Sequence, residues 1–287
     1  ATTVKLLALL AHGVAVAVVA RSCAKPDAAL ALGLNPLLLS EGALNGHFDV
    51  LTGAALLVAA WALTRQRFFR AAFATCVAVG LKLVGVVILP LFARRPKAFL
   101  ATALGSALLA SPLVLARGPL DPASGAGQFA ARWQGNGSLF AIVDWLSGLL
   151  FSNELAGIAS RAVVASLMLG LSAHIVRRRV SPLPAARVLL WSVLLLSPQV
   201  HPWYLAWLLP LEVAAGGSAG VVWSATVLCA YVPLDRWLAE GRWEMPLGAQ
   251  IFEYAAVFFA LALDPRRPSL RDTGADLVFA SDSSTLD

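Results

Sequence analysis

The sequence predicts an all-α protein, a polytopic transmembrane helical bundle with about ten membrane segments, some of them short or re-entrant. Three observations lead to this class. The 287 residues are 59% hydrophobic and 13% charged, with a mean hydropathy of +0.76, which is more apolar than a soluble domain requires. Apolar runs recur along the chain, and arginines cluster beside them. Residues 1–264 form this domain, and residues 265–287 form a polar, disordered cytoplasmic tail.

Arginine and lysine clusters indicate which loops face the cytoplasm, because cytoplasmic loops carry an excess of basic residues. The net charge of +6 and the pI near 9.7 therefore need no nucleic-acid partner, and none is predicted. Any two successive clusters must be joined by an even number of crossings. The clusters are Arg21 with Lys25; Arg65, Arg67 and Arg70; Arg94, Arg95 and Lys97; Arg177, Arg178 and Arg179; and Arg266, Arg267 and Arg271.

The first three segments follow from this parity. Residues 4–20 descend from the outside, residues 28–39 rise, and residues 50–63 descend again. The polar stretch "SEGALNGHFD", residues 40–49, then lies outside the membrane.

The next segment surrounds Lys82. Between Arg70 and Arg94 the chain is long enough for one helix, whereas parity requires two. A pair of short helices that meet near Lys82 satisfies both conditions and puts the lysine at the apex, facing the outer half of the membrane. The alternative is a single helix whose Lys82 side chain reaches the membrane surface along its aliphatic stem.

The second half of the chain continues the alternation. Residues 99–115 rise to a Gly- and Pro-rich outer loop. Residues 139–151, which contain Asp144 and Trp145, predict a helix that lies at the interface or caps this loop. The remaining segments are 158–175 descending, 185–196 rising, 203–215 descending, 221–234 rising and 251–263 descending.

With this topology, the polar residues that need an explanation gather on the outer side. Burying an ionisable group in the membrane costs free energy, so we expect these residues to share a cleft and not to lie on the same side of the membrane by chance. No carboxylate pair has the spacing of a metal site, and neither a metal nor a cofactor is predicted. The outer residues are Glu41, Asn45, His47, Asp49, Lys82, Arg132, Asn136, Gln199 and His201.

Each of these residues also has a purely structural interpretation. Asp49 precedes an apolar helix and fits an N-cap, and His201 stands before a proline at a helix start. Lys82 fits this interpretation least, because a cation in an apolar run requires an anion such as a lipid phosphate or a carboxylate. The aromatic residues after His201 fit either an interfacial belt or a surface on which a substrate stacks: Trp203, Tyr204 and Trp207.

Four stretches, in this order, carry a family resemblance: "GLNPLLLSEGALNGHFDVL", "AVGLKLVGVVILPLFARR", "ARWQGNGSLF" and "LSPQVHPWYLAWLLPL". Residues 1–264 resemble bacterial membrane glycosyltransferases of the GT-C fold that use polyprenyl-phosphate-linked sugars. Within these, the chain looks most like the polyprenol-phosphate-mannose-dependent mannosyltransferases. The segment "HPWYLAWLLP" is the most specific element of the resemblance.

The resemblance implies an inverting hexosyltransferase, with a mannosyltransferase as the favoured case. It also implies a place in the bacterial inner membrane, with the active site on the extracytoplasmic side. A polyprenyl-phosphate sugar is the implied donor, and a glycan or glycolipid is the acceptor. Cations and hydrogen-bond donors must stabilise the leaving phosphate, and Lys82, Arg132 and His201 suit that task. The other candidate substrate-binding residues are His47, Asp49, Asn136, Gln199 and Tyr204.

Two departures from the family pattern affect the site. Phe48 stands where the family usually shows the middle polar residue of a His-Asn-Asp-like cluster. The family's catalytic aspartate usually lies in the first external loop, and parity predicts that this chain begins beyond that loop as an N-terminally truncated piece. The catalytic base is therefore expected upstream of residue 1, with Asp49 and Glu41 as secondary candidates.

Two other functions stay open on the sequence alone. A transporter or lipid flippase needs charged groups near the bilayer midplane, for which Lys82 and Arg161 are the candidates. A non-catalytic membrane assembly protein needs no site at all, and an absence of any outward cavity would favour it.

Overall fold

The computed structural model describes residues 2–22, 26–115, 133–242 and 244–265. Within these ranges the chain is helical and contains no strand, apart from an isolated bridge between Gly135 and Gln199. The predicted all-α class is therefore confirmed. Of the tail predicted at residues 265–287, the structure describes Pro265, and the rest lies outside the described residues.

Thirteen α-helices are numbered here in chain order. Short π- and 3₁₀-helical segments lie between them: a π-helix at Leu39–Leu44 and 3₁₀-helices at Leu83–Phe92, Pro202–Tyr204 and Val227–Tyr231. The α-helices of the described ranges are α1 Thr2–Ser22, α2 Pro26–Gly33, α3 Pro36–Leu38, α4 Asp49–Thr64, α5 Phe68–Leu81, α6 Pro96–Leu115, α7 Leu139–Leu150, α8 Asn153–Arg178, α9 Pro182–Leu195, α10 Leu205–Ala214, α11 Ala219–Thr226, α12 Leu234–Glu240 and α13 Leu247–Leu263.

Two helices in the described ranges are long and apolar enough to cross a membrane by themselves, Thr2–Ser22 and Leu155–Arg178. This supports membrane association weakly, because length and composition alone do not separate a membrane span from other apolar helices. The prediction of about ten membrane segments stays a prediction. Shorter apolar helices lie at Asp49–Thr64, Phe68–Leu81, Leu83–Phe92, Leu139–Leu150, Pro182–Leu195 and Leu247–Leu263.

The chain breaks at Lys82 as the hairpin hypothesis predicts. Helix α5 ends at Leu81, Lys82 is extended with φ −152° and ψ 134°, and the 3₁₀-helix Leu83–Phe92 begins at the next residue. This 3₁₀-helix packs back onto α5, so closely that a β-carbon on Gly85 would overlap the backbone at Ala78 and Val79. The alternative of one continuous helix is therefore wrong.

Helix α10 lies at the centre of the bundle. Every residue from Leu205 to Ala214 is buried, and the surrounding helices are α1, α2, α4, α9 and α11. Helices α4 and α10 approach closely, because a β-carbon on Gly53 would overlap the carbonyl oxygen of Ala206. Only a glycine lets the two backbones come this near.

Several helix ends meet at one end of the bundle, which we call the basic end. The Arg94 side chain donates to the carbonyl of Val176 near the end of α8, at 3.1 Å from Nε. Asp264, just after α13, accepts from the backbone N–H of Ser218 at the start of α11, at 2.7 Å. These contacts agree with the predicted alternation of helix directions.

A buried ion pair that was not predicted from the sequence lies at the basic end. Arg187 of α9 donates to Glu212 of α10 through Nε at 2.6 Å and Nη2 at 3.0 Å. The indole of Trp191 at 2.8 Å and the N–H of Gly220 at 3.2 Å donate to the same carboxylate. Because each Glu212 oxygen accepts two hydrogen bonds, the charge is well compensated inside the protein.

Helix α7 covers the segment predicted to lie at the interface or to cap the outer loop, and that location stays a prediction. It packs against α8 and exposes a row of apolar side chains, with Trp145 64% and Leu150 77% exposed. Asp144 points back into the protein, where it accepts from Ser160 at 2.7 Å and from Gln134 at 3.2 Å.

We expect Gly53→Ala to lower the free energy of unfolding by about 1–3 kcal/mol, since the added methyl group must push α4 and α10 apart. The matched control is Gly170→Ala, also helical, whose added β-carbon meets no atom within 4 Å. That control should be neutral or stabilising by up to about 1 kcal/mol, because alanine favours a helix. Thermal unfolding in detergent measures both changes, and equal stability of the two variants would contradict the close packing.

Candidate functional site

The end of the bundle opposite the basic end brings together polar and aromatic side chains from five stretches of the chain. We call this end the polar end and its residues the polar cluster. The stretches are the segment around the π-helix Leu39–Leu44, the start of α4, the break at Lys82, the connector that leads into α10 with its first turn, and the end of the 3₁₀-helix Val227–Tyr231. The polar cluster consists of Glu41, His47, Asp49, Lys82, His201, Trp203, Tyr204, Trp207 and Tyr231.

An ion pair between Lys82 and Asp49 joins two of these stretches. Lys82 Nζ lies 3.2 Å from Oδ1 of Asp49, and the indole N–H of Trp207 donates to the same oxygen at 2.7 Å. Asp49 is 1% exposed, whereas the Lys82 side chain is 34% exposed. The N-cap of α4 is Phe48, so the interpretation of Asp49 as an N-cap is wrong. Asp49 holds the lysine at the surface of the polar end.

Aromatic rings surround the ammonium group of Lys82. Its Nζ lies 5.4 Å from the ring centroid of Tyr204 and 5.8 Å from that of Trp207. These two rings stack on each other with centroids 4.3 Å apart. Cation–π attraction adds to the Asp49 ion pair in fixing the lysine. Tyr204, predicted as a substrate-binding residue, thus lies beside Lys82.

Glu41 anchors the neighbouring stretch. It is 2% exposed and accepts from the Tyr231 hydroxyl at 2.8 Å and from Asn45 at 3.2 Å. His47 Nε2 lies 3.4 Å from its second oxygen. The chain reaches this position through a π-helical turn, a backbone form that is frequent at functional sites. Both carboxylates of the polar cluster are therefore buried and already hold partners.

Trp203 lies against both histidines of the polar cluster. The ring centroids of His47 and Trp203 are 4.3 Å apart, and those of His201 and Trp203 are 4.5 Å apart, with the planes nearly parallel in each pair. His201 is the residue before the 3₁₀-helix, but its side chain makes no capping hydrogen bond. The interpretation of this side chain as a cap is therefore wrong.

The environment of His201 favours a neutral imidazole. Burial removes it from water, and the positive charge of Lys82 and the nearby His47 add to that effect, so the pKa of His201 is lowered to about 4. A neutral imidazole offers one donor and one acceptor nitrogen near pH 7.

A cavity of about 640 Å³ opens beside the polar cluster. Ligand sites of small molecules have volumes of about 300–1,000 Å³, so the size fits such a ligand. Most of its wall is apolar and aromatic. The lining residues are Trp133, Gln134, Gln199, His201, Pro202, Trp203, Ala230, Tyr231 and Trp237.

The segment after the outer loop builds one wall of this cavity. Gly135 pairs with the backbone around Gln199, and Asn136, 4% exposed, donates to the Val200 carbonyl at 3.3 Å and to Glu253 at 3.0 Å. Asn136 therefore connects this segment to α13 through its hydrogen bond to Glu253. Gln199 lines the cavity.

Arg132, a predicted phosphate ligand, lies outside the described residues. The two residues that follow it, Trp133 and Gln134, line the cavity.

Three residues of this end were not predicted from the sequence: Tyr231, Trp237 and Glu253. A signal existed for Glu253, which is an acidic residue inside an apolar run just as Lys82 is a basic one. Its carboxylate accepts from the Trp223 indole at 2.8 Å and from Asn136. For Tyr231 and Trp237 there was no comparable signal, because single aromatic residues near a membrane surface are common.

The geometry suits the binding of an anion next to a ring-shaped or apolar group. Within the two ion pairs, Lys82 and His47 are partly exposed, at 34% and 32%, while their carboxylate partners are buried. In the part of the chain that the structure describes, no three His, Cys, Asp or Glu side chains converge on a point where a metal would bind.

Comparison of the chain with protein-family models, with curated proteins and with solved structures finds no match.

We expect the NMR signal of His201 in uniformly labelled protein to show a neutral imidazole at pH 6 and to titrate near pH 4, with His201→Gln identifying the signal. Lys82→Met should raise the pKa of His201, because it removes a positive charge that opposes protonation. The control is Lys97→Met, which removes an exposed lysine outside the polar cluster and should leave the titration unchanged. Titration of His201 near pH 6.5 in the unsubstituted protein would contradict the described environment.

Proposed function

We propose that the chain is a membrane glycosyltransferase of the GT-C type. It transfers a hexose, with mannose as the favoured candidate, from a polyprenyl-phosphate donor to a glycan or glycolipid acceptor, and the transfer inverts the anomeric configuration. The observation that carries the proposal is the ion pair of partly exposed Lys82 with buried Asp49, in the same cluster as His201, Trp203 and Tyr231, which line the aromatic cavity. The donor supplies a phosphate for the cation and a sugar ring for the cavity.

Lys82 is suited to the leaving phosphate. An ammonium group has three donors, and Asp49 accepts from one side, so donors stay available for phosphate oxygens. Charge that develops on the leaving group is stabilised most strongly by groups that are already fixed in place. The Asp49 carboxylate and the Tyr204 and Trp207 rings fix Lys82 in this way. We assign His201, and Arg132 from the outer loop, to the same phosphate.

The cavity is suited to a sugar. The C–H faces of a pyranose ring pack against aromatic rings, and its hydroxyl groups need donors and acceptors at the edge of the cavity. Trp133, Trp203 and Trp237 supply the rings, and Gln199 supplies an amide. His47, stacked on Trp203, is assigned to the acceptor side of this site.

The two carboxylates of the polar cluster are assigned to positioning. Both are buried, Asp49 with two donors on Oδ1 and Glu41 with Tyr231, Asn45 and His47 around it. A general base must reach the acceptor hydroxyl directly or through one water. The proposal therefore gives the role of base to a residue outside the described ranges.

The proposal places about ten helical segments in a bacterial inner membrane, with the polar end on the extracytoplasmic side. The support is the separation of charges: the arginine clusters around Arg94 and Arg177–179 lie at the end opposite the polar cluster. The alternation of helix directions supports the same arrangement.

The geometry favours this function over the two alternatives. The charged pairs of Lys82 with Asp49 and of Arg187 with Glu212 lie at the two ends of α10, not at one central site as a transporter requires. An assembly protein requires no cavity at the polar end, and a cavity of about 640 Å³ lies there.

The test is transfer of radiolabelled mannose from polyprenyl-phosphate-mannose in membranes that carry the full-length protein. We expect Lys82→Met and His201→Ala each to lower the rate roughly 10- to 100-fold, as loss of a hydrogen bond to a charged group does. Lys97→Met at the basic end is the control and should keep the full rate. No transfer by the unsubstituted protein from any polyprenyl-phosphate sugar, over a panel of acceptors, would reject the enzyme.

A further inference from the structure

A second cavity, of about 210 Å³, opens at the basic end, far from the polar cluster. It lies where three elements meet: the end of the 3₁₀-helix Leu83–Phe92, the end of α8 and the start of α9. Its polar wall is formed by Arg94, Arg179 and Ser181, and its apolar wall includes Pro90 and Ile175. None of these residues has a role in the proposed transfer reaction.

Arg94 is fixed in the wall of this cavity. Its Nε and Nη2 donate to the carbonyl of Val176, at 3.1 and 2.5 Å. Within the described ranges, no hydrogen bond engages the remaining Nη1 group. A guanidinium held by one edge presents its free edge in a defined direction, which is the way arginine binds phosphate oxygens.

Arg179 approaches the cavity from another direction. It ends α8 in the left-handed conformation, with φ 60° and ψ 34°, and its side chain is exposed. Arg179 lines the same cavity as Arg94, so the cavity wall carries two guanidinium groups. Like charges that share a cavity repel each other, and an anion between them removes that repulsion.

Ser181 adds a hydroxyl group without a partner. It is the N-cap residue of α9, yet its side chain makes no capping hydrogen bond, and the third helical residue, Pro184, has no N–H to donate. In the described part of the chain, its shielded oxygen has no hydrogen-bond partner. A phosphate oxygen in the cavity would accept from this hydroxyl.

The carboxylates at this end do not neutralise the two cavity arginines. Glu212 is buried against Arg187, and Asp264 is 5% exposed and accepts from Ser218 at the start of α11. The basic end therefore presents a positive surface to an anionic ligand.

We propose that this cavity binds the phosphate of an anionic phospholipid. The apolar surface around it favours a lipid over free phosphate. Two turns before Val176 and on the same face of α8, Leu169 is 72% exposed, so apolar surface for an acyl chain lies along the helix beside the headgroup. Basic pockets between helices on the cytoplasmic side bind lipid headgroups in this manner. This site is independent of the proposed transferase activity.

The test measures binding of phosphatidylglycerol to delipidated full-length protein in detergent, by native mass spectrometry. Arg94→Gln and Arg179→Gln should each weaken binding roughly fivefold, and both together about 25-fold. Arg70→Gln, which removes an exposed arginine of α5 outside the cavity wall, is the matched control and should bind as the unsubstituted protein does. Because Arg94 also holds the end of α8, the Arg179 variant is decisive if Arg94→Gln misfolds.

Two further binding measurements distinguish a lipid headgroup from free phosphate as the ligand. Phosphatidylcholine should bind at least tenfold more weakly than phosphatidylglycerol, and inorganic phosphate at millimolar concentration should leave phosphatidylglycerol bound. Displacement by inorganic phosphate would overturn the lipid assignment. Equal binding of the two lipids, or an equal loss in Arg70→Gln, would overturn the cavity as the site.

Discussion

The rest of the structure depends on the complete burial of α10. A helix with no face towards solvent must find partners inside the protein for each of its polar side chains. Helix α10 and the turn before it present such groups at both ends: Trp207 donates to Asp49 near the start, and Glu212 accepts from Arg187 near the end. These two contacts connect α10 to α4 and to α9. The burial of one short helix thus determines where the charged residues of its neighbours must lie.

Buried acidic residues also position the ion-pairing groups of the polar cluster. Lys82 is held by Asp49, and His47 is held by Glu41, which accepts from Tyr231. The segment next to the outer loop is held by Glu253 through Asn136. Buried carboxylates therefore orient exposed donors all around the polar end. An arrangement of this kind provides fixed dipoles that do not have to reorganise when an anion binds.

How much of this followed from the sequence depended on whether a residue leaves a local signal. The all-helical class and the break at Lys82 were predictable, because apolar runs and a lysine within one of them are visible in a single stretch. The gathering of His47, Asp49, Lys82 and His201 followed from counting crossings. The burial of Asn136 against Glu253 and the contact of Tyr231 with Glu41 were not predictable, since the partners are 117 and 190 positions apart. Arg187 and Glu212 each carry the same signal as Lys82, a charge within an apolar run, but nothing in the sequence shows that the two residues meet.

The 3₁₀ winding after Lys82 affects how deep in the proposed membrane this lysine lies. Helix α5 has 14 residues and the returning 3₁₀-helix has 10. An α-helix rises about 1.5 Å per residue and a 3₁₀-helix about 2.0 Å, so both limbs are about 20 Å long and the chain returns to its starting level. In the proposed membrane, whose hydrocarbon core is about 30 Å thick, the lysine then stops about 10 Å short of the far boundary. A ligand from that side reaches Lys82 only by moving below the headgroups, which a phosphate on a long flexible hydrocarbon chain does more readily than a soluble sugar phosphate.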